Sequence, residues 1–144
     1  MLLLFFNLKL LLVFVVQFIL NGKKINLKTF EERFMPKITA DTASGEVSFD
    51  ADAGRKLVLA LEDNGIDILH RCGGNAKCTT CRVEVLSGDA GTIEDTEKQT
   101  LSTKPDFADN TRLSCQVRVN SDLHVKVISQ ASVTGMDAGS RPEE

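Results

Sequence analysis

From Pro36 onward the chain alternates apolar and polar residues in short runs separated by turn chemistry. Ile38 alternates with polar neighbours, Asp41-Thr42-Ala43-Ser44-Gly45 supplies a turn, and Val47 and Phe49 alternate beyond it, so residues 36–50 predict a β-hairpin. Leu57 and Leu61 share one helical face between about Arg55 and Asp63, with Asp52 as the expected N-cap and Asn64-Gly65 as the stop. Ile66, Ile68 and Leu69 then lead, as buried anchors, into a loop rich in Gly and Cys. Val83 and Val85 alternate with Arg82 and Glu84 in a strand that ends at Ser87-Gly88-Asp89. Thr92-Ile93-Glu94-Asp95 fits a capping box opening a short acidic helix to about Leu101. Leu113, Cys115, Val117 and Val119 line one side of a further strand, and Leu123, Val125 and Val127 do so after the turn Asn120-Ser121-Asp122. The order ββαβαββ predicts an α+β fold, a mixed sheet capped by one main helix with a short second helix, around a small single core.

Both ends of the chain lack this pattern. Residues 1–20, MLLLFFNLKLLLVFVVQFIL, are apolar and about as long as the ~20 residues that cross a bilayer. Asn7, Lys9 and Gln17 interrupt them, and a lysine near mid-helix costs about 2.5–3.5 kcal/mol on insertion scales. No basic region precedes the apolar run and no Ala-x-Ala-like site comes after it, so it is a poor signal peptide. If inserted, Lys23, Lys24 and Lys28 would keep the downstream domain on the cytoplasmic side. The competing expectation is that translation starts at Met35. Glu31-Glu32-Arg33 can be encoded by a purine-rich stretch resembling a ribosome-binding site, and the Leu/Phe/Asn/Lys/Ile bias before it is what AT-rich non-coding DNA yields. Three segments result: an apolar extension 1–34 (misassigned start, membrane anchor or cleaved targeting segment), a domain 35–128, and a flexible tail 129–144 without periodicity. The expected location is cytoplasmic, or membrane-anchored facing the cytoplasm, with membrane contact only if residues 1–20 are translated and retained.

Charge sharpens that division. The whole chain carries −3, which argues against a nucleic-acid binder. Residues 1–34 hold five basic and two acidic side chains (+3), whereas 35–144 hold 12 basic and 18 acidic (−6). No Ser/His/Asp or paired-carboxylate constellation is evident, so no catalytic residue is expected. His70 is expected as a partly exposed loop histidine and His124 at a surface strand position. Arg71, Lys77 and Arg82 flank the cysteine loop, and Arg112 could bridge to the acidic helix.

The chemistry lies in four cysteines spaced C-x5-C-x2-C-x33-C: Cys72, Cys78, Cys81 and Cys115. Three crowd into ten residues and the fourth comes from a distant strand, which suits thiolates wrapped around a compact iron–sulfur cluster, four for a 2Fe-2S centre. Gly73 and Gly74 let backbone N–H groups turn toward such a cluster. Two disulfides, a four-cysteine zinc site and a Cys78–Cys81 redox dithiol are the alternatives. The first needs an oxidising compartment, the second usually shows two C-x2-4-C knuckles, and the third leaves Cys72 and Cys115 unexplained.

On the residues Leu69-His70-Arg71-Cys72-Gly73-Gly74-Asn75-Ala76-Lys77-Cys78-Thr79-Thr80-Cys81-Arg82-Val83 and Arg112-Leu113-Ser114-Cys115-Gln116, the chain resembles the 2Fe-2S ferredoxins of the β-grasp (ubiquitin-like) fold. Residues 36–128 run parallel to that family in element order. Five residues separate the first two cysteines, as in adrenodoxin-like and related bacterial members, where plant photosynthetic members have four. The resemblance implies a bacterial or cyanobacterial ferredoxin outside the photosynthetic group, with Cys72, Cys78, Cys81 and Cys115 as ligands of a 2Fe-2S cluster. Arg82 stands where adrenodoxin-like members have His after the third cysteine, a departure that bears on partner choice. The implied function is one-electron transfer between a reductase and acceptor enzymes, with no substrate chemistry of its own. A ferredoxin component of an oxygenase system, or an iron–sulfur assembly or regulatory ferredoxin, are the alternatives. The resemblance also implies docking of a basic redox partner on an acidic patch that includes Glu94, Asp95 and Glu97.

Overall fold

Lys37–Thr42 (β1) and Gly45–Asp50 (β2) pair antiparallel from Lys37↔Asp50 to Thr42↔Gly45, closing the expected hairpin through Ala43 and Ser44. The structure is a computed structural model that describes residues 35–144; the apolar extension 1–34, with every expectation attached to it, lies outside the described residues. Leu123–Val127 (β5) runs parallel to β1, with Ile38 opposite Leu123 and Ala40 opposite Val125. Arg82–Gly88 (β3) pairs antiparallel with β5 on one side and with Thr111–Leu113 (β4) on the other. The five strands stand in the order β2-β1-β5-β3-β4, a mixed sheet because β1 and β5 alone are parallel.

Alternation decides which face of the sheet is covered. Ile38, Ala40, Val83, Leu113, Leu123 and Val125 all point into one core. Leu57–Asp63 (α1) belongs to the same core, and five successive residues from Leu57 to Leu61 are buried. A helix apolar on every side is one enclosed by its surroundings. Its N-terminus differs from expectation: Lys56 occupies the N-cap position with no side-chain cap, and Asp52 only offers its carbonyl to Arg55 N. The first helical N–H groups are satisfied from elsewhere, Leu57 N by Val117 O and Val58 N by Ser114 O. The stop is as expected, with Asn64 Nδ2 donating to Ala60 O and Gly65 at φ +80°.

The second helix, Asp95–Ser102 (α2), begins after an extended Glu94 without a side-chain cap, so the capping box at Thr92 does not form. The carbonyls of Ala90, Gly91 and Thr92 turn instead toward the Arg112 guanidinium. The long strand expected over 113–119 is also shorter. Only β4 is extended ladder, yet Cys115, Val117 and Val119 are fully buried as their alternation predicts. Their backbone pairs with residues 55–57 rather than with the sheet, through Leu57 N to Val117 O and Val119 N to Arg55 O.

The segment 129–144, expected as a flexible tail, makes defined contacts with the domain. Ala131–Thr134 (α3) forms one turn ended by Gly135 at φ +69°, and Asp67 accepts bonds from Gln130 Nε2 and Ser132 N. Beyond it Arg141 pairs with Glu62 and Asp63, while Glu144 accepts Arg55, Arg118 and the Lys56 amide. The segment has no hydrophobic period because it is held by backbone bonds and ion pairs. Among the described residues, no helix is long and apolar enough to cross a membrane.

Candidate metal centre

The loop between α1 and β3 is anchored before it reaches the first cysteine. Leu69 N donates to Ser129 O and His70 N to Ala138 O, so segment 129–144 holds its incoming limb. Gly139 packs directly on that limb: a Cβ there would lie 2.5 Å from Arg71 Cα and 2.8 Å from His70 O. The loop then winds through four left-handed residues, Gly73, Gly74, Ala76 and Thr79, at φ +67°, +84°, +53° and +58°. Non-glycine residues take that conformation rarely, and successive turns of this hand aim backbone N–H groups into a common concavity.

What they aim at is sulfur. Burial raises the Cys72 thiol, but the Lys77, Cys78 and Asn75 amides and the Cys78 side chain outweigh it and leave Cys72 below the usual thiol range. Cys78 Sγ also lies 3.0 Å from Thr80 Oγ1. Across the core, Cys115 stands two residues beyond the end of β4, and the intervening Ser114 ties it to the loop by bonding Cys81 O through both its amide and its hydroxyl. The Cys115 thiol beside it and its burial push Cys81 well above the ordinary thiol value. Cys115 falls to about 6, held down by the Cys81 bond, the Gln116 amide and the Ala76 N–H against the cost of burial.

The cysteine loop and Cys115 are therefore held together, by Ser114 on Cys81 O and by Gln116 Nε2 donating to Gly74 O. Among the described residues, no three of these sulfurs lie within 4.8 Å of one another. One tetrahedral zinc, with Zn–S near about 2.3 Å, would draw all four sulfurs to within about 4 Å. Thiols more widely spread than that, inside a cradle of N–H donors, fit a binuclear centre with negative charge better than a single ion.

The surroundings correct several expectations. His70 is buried, not loop-exposed; its ring nitrogens make no hydrogen bond and its nearest charged group is Glu62 Oε1 at 3.6 Å. His124 is at the surface as expected, 2.9 Å from Asp41, on the outer sheet face with Glu46 beside it and away from the cysteines. Arg112 does bridge to the acidic helix: its Nε and Nη2 donate to the two oxygens of Glu97 at 2.9 Å each. Leu113 N donates to the same carboxylate, and Glu97 is wholly buried. Glu97 thus leaves the acidic patch, of which Glu94 and Asp95 remain exposed. The sequence offered no signal that Glu97, unlike Glu94 and Asp95, would be interior, since the helix period of so short a segment does not assign its faces.

Comparison with known proteins agrees with the geometry. The family model of the 2Fe-2S iron–sulfur cluster binding domain matches residues 41–120. Over 84 residues the chain is 40% identical to the F component of the Na(+)-translocating NADH-quinone reductase of Methylococcus capsulatus, covering 58% of this chain and 20% of that protein. The corresponding component from Neisseria meningitidis serogroup B is 43% identical over the same length and shares. The chain thus spans about a fifth of these curated relatives. Among solved structures, the ferredoxin of Rhodopseudomonas palustris HaA2 superposes with a TM-score of 0.56 at 30% identity, over 66% of this chain and 99% of its own. The ISC-like 2Fe-2S ferredoxin of Pseudomonas putida does so with 0.60 at 25%, over 65% and 93%.

Proposed function

Because the chain belongs to the 2Fe-2S iron–sulfur cluster binding domain family, we propose that Cys72, Cys78, Cys81 and Cys115 are the four ligands of its cluster, and that the domain carries single electrons between a reductase and acceptor enzymes. The cluster, when bound, supplies a one-electron couple. The chain's own residues do the rest. The observation that carries this reading is the closure of the cysteine loop on Cys115, through Ser114 on Cys81 O and Gln116 on Gly74 O. Thiolates are the form that binds iron, and the amides of Asn75, Ala76, Lys77 and Cys78 favour that form at Cys72 and Cys115. Burial of Cys81 and Cys115 keeps water from one side. The left-handed turns at Gly73, Gly74, Ala76 and Thr79 set the cradle before the cluster arrives, so little rearrangement accompanies electron transfer.

The domain itself performs no substrate chemistry in this proposal, and its place of work is the cytoplasm or the cytoplasmic face of a membrane. A second reading is favoured by the 40% identity to the NADH-quinone reductase component: that the domain takes electrons originating in NADH as part of a larger quinone-reducing system. An NADH-dependent ferredoxin reductase with a c-type cytochrome as acceptor tests the carrier role. Cytochrome reduction should depend on added protein and cease when Cys72 is replaced by Ser. If a cluster-loaded protein leaves cytochrome reduction unchanged, the carrier role is wrong and a sensing or assembly role takes its place. Co-purification with a quinone-reducing complex would select the second reading.

A further inference from the structure

Electrons reach a buried centre through the edge nearest solvent. Cys81 and Cys115 are 2% and 0% exposed, whereas Cys72 and Cys78 are only half-buried, so the accessible edge is the Cys72–Cys78 side. The surface around that edge differs in sign from the rest of the domain. Between Ile68 and Val83 the chain holds Arg71, Lys77 and Arg82 and no Asp or Glu, although residues 35–144 carry a net −6. Arg71 and Lys77 are exposed, and among the described residues neither has a carboxylate within ion-pair distance.

The Arg71 guanidinium lies 3.4 Å from Met136 Sδ, and Met136 is 40% exposed. An exposed apolar side chain therefore adjoins Arg71. Segment 129–144 also walls a cleft of about 600 Å³ beside Cys72, to which Lys56, Arg71 and Arg141 contribute. Glu144 on that side is paired with Arg55 and Arg118, while Asp137 accepts the Gly139 amide and has no ion pair among the described residues. Glu143 is the one lining the cleft without an ion pair among the described residues.

We propose that this cluster-edge face, with Arg71 and Lys77 and with Met136 against Arg71, is the docking surface for a redox protein that presents acidic side chains around an apolar spot. The proposal rests on the ligand assignment above, and it reverses the docking expected on the acidic helix. Small transient interfaces of this kind gain on-rate from charge complementarity, and the gain is lost with salt.

Stopped-flow oxidation of the dithionite-reduced full chain by two c-type cytochromes of similar potential, one acidic and one basic, tests it. At low ionic strength the acidic cytochrome should react faster. The Arg71→Gln/Lys77→Gln variant should slow it about tenfold, and added salt should erase the difference. Arg71→Lys/Lys77→Arg should keep the wild-type rate, and Glu143→Gln should raise it. A faster basic cytochrome, slowed by Glu94→Gln/Asp95→Asn and indifferent to changes at 71 and 77, would overturn the proposal and return docking to the helix. Visible bands recorded beforehand separate the two claims, because a wild-type chain without them fails the ligand assignment, not the docking face. If Arg71→Gln disturbs the loop, Lys77→Gln alone carries the test with a smaller slowing of the same sign.

Discussion

The buried pair Arg112–Glu97 gives a perturbation whose size can be worked from its contacts. Glu97 is 0% exposed and accepts three bonds: Arg112 Nε at 2.9 Å and Leu113 N at 2.7 Å on one oxygen, Arg112 Nη2 at 2.9 Å on the other. Glu97→Gln keeps the shape, replaces one acceptor by a donor that faces Arg112, and leaves the guanidinium charge uncompensated. Removing one partner of a buried pair costs about 3–5 kcal/mol. Arg112 would retain the carbonyls of Ala90, Gly91 and Thr92, which places the cost at the lower end, about 3 kcal/mol. With a urea dependence of about 2 kcal/mol per molar for a domain of this size, the midpoint should fall by about 1.5 M. Far-UV circular dichroism is the probe, because the chain has no Trp or Tyr to report by fluorescence. The cluster's visible absorbance should be lost over the same urea range, since Leu113 N and Cys115 belong to one short stretch after the pair. The deficit should persist in about 1 M salt, where the Debye length is about 3 Å but water does not reach the pair. A midpoint change below about 0.3 M would refute the idea that this ion pair secures the strand delivering Cys115.

Other outcomes rest on the same contacts. Cys115→Ser should lose the cluster as completely as Cys72→Ser, measured as iron per chain; full iron retention would remove Cys115 from the ligand set. Gly139→Ala should place a methyl 2.5 Å from Arg71 Cα at a φ of +97°, forcing segment 129–144 off the loop and costing about 1–3 kcal/mol. Its signature is faster cluster loss to an iron chelator, and an unchanged rate would show that the segment does not support the loop. At Asp67, burial raises the carboxyl but bonds from Gln130 and Ser132 lower it further, below 3.8. A depressed folded-state pKa stabilises above the unfolded value and is lost as pH falls through the folded one. Asp67→Asn should therefore lower the urea midpoint by a constant amount from neutral pH down to about pH 4, fading only below 3.8. A deficit already gone at pH 5 would contradict that bond set.

The alternation of Ile38, Val47, Phe49, Val83, Val85, Leu123, Val125 and Val127 foretold the hairpin and the central strands because each strand has one covered face. Burial at Cys115, Val117 and Val119 was legible for the same reason, but their backbone partner was not: extended chain can pair with a sheet or with a loop, and residues 55–57 took it. The cap expected for α1 is replaced by a distant acceptor, Val117 O, on Leu57 N, whereas at Thr92 the carbonyl is drawn to the Arg112 guanidinium and α2 starts two residues later than the box requires. Segment 129–144 was illegible because ion pairs such as Glu144 with Arg55 and Arg118 leave no period in a sequence. The cysteine spacing announced the centre, while the shape of its loop needed the left-handed turns at Ala76 and Thr79, which non-glycine residues give no reason to expect. His70 stayed hidden too, as a lone histidine carries no burial signal.

The ligand assignment stands or falls on optical and EPR spectra of the purified full chain. With no Trp or Tyr, near-ultraviolet and visible absorption must come almost entirely from the bound group. Broad visible bands that bleach on dithionite and give way to an S = 1/2 signal, with iron and acid-labile sulfide in equal amounts, are the predicted result. A colourless protein holding stoichiometric zinc would contradict it.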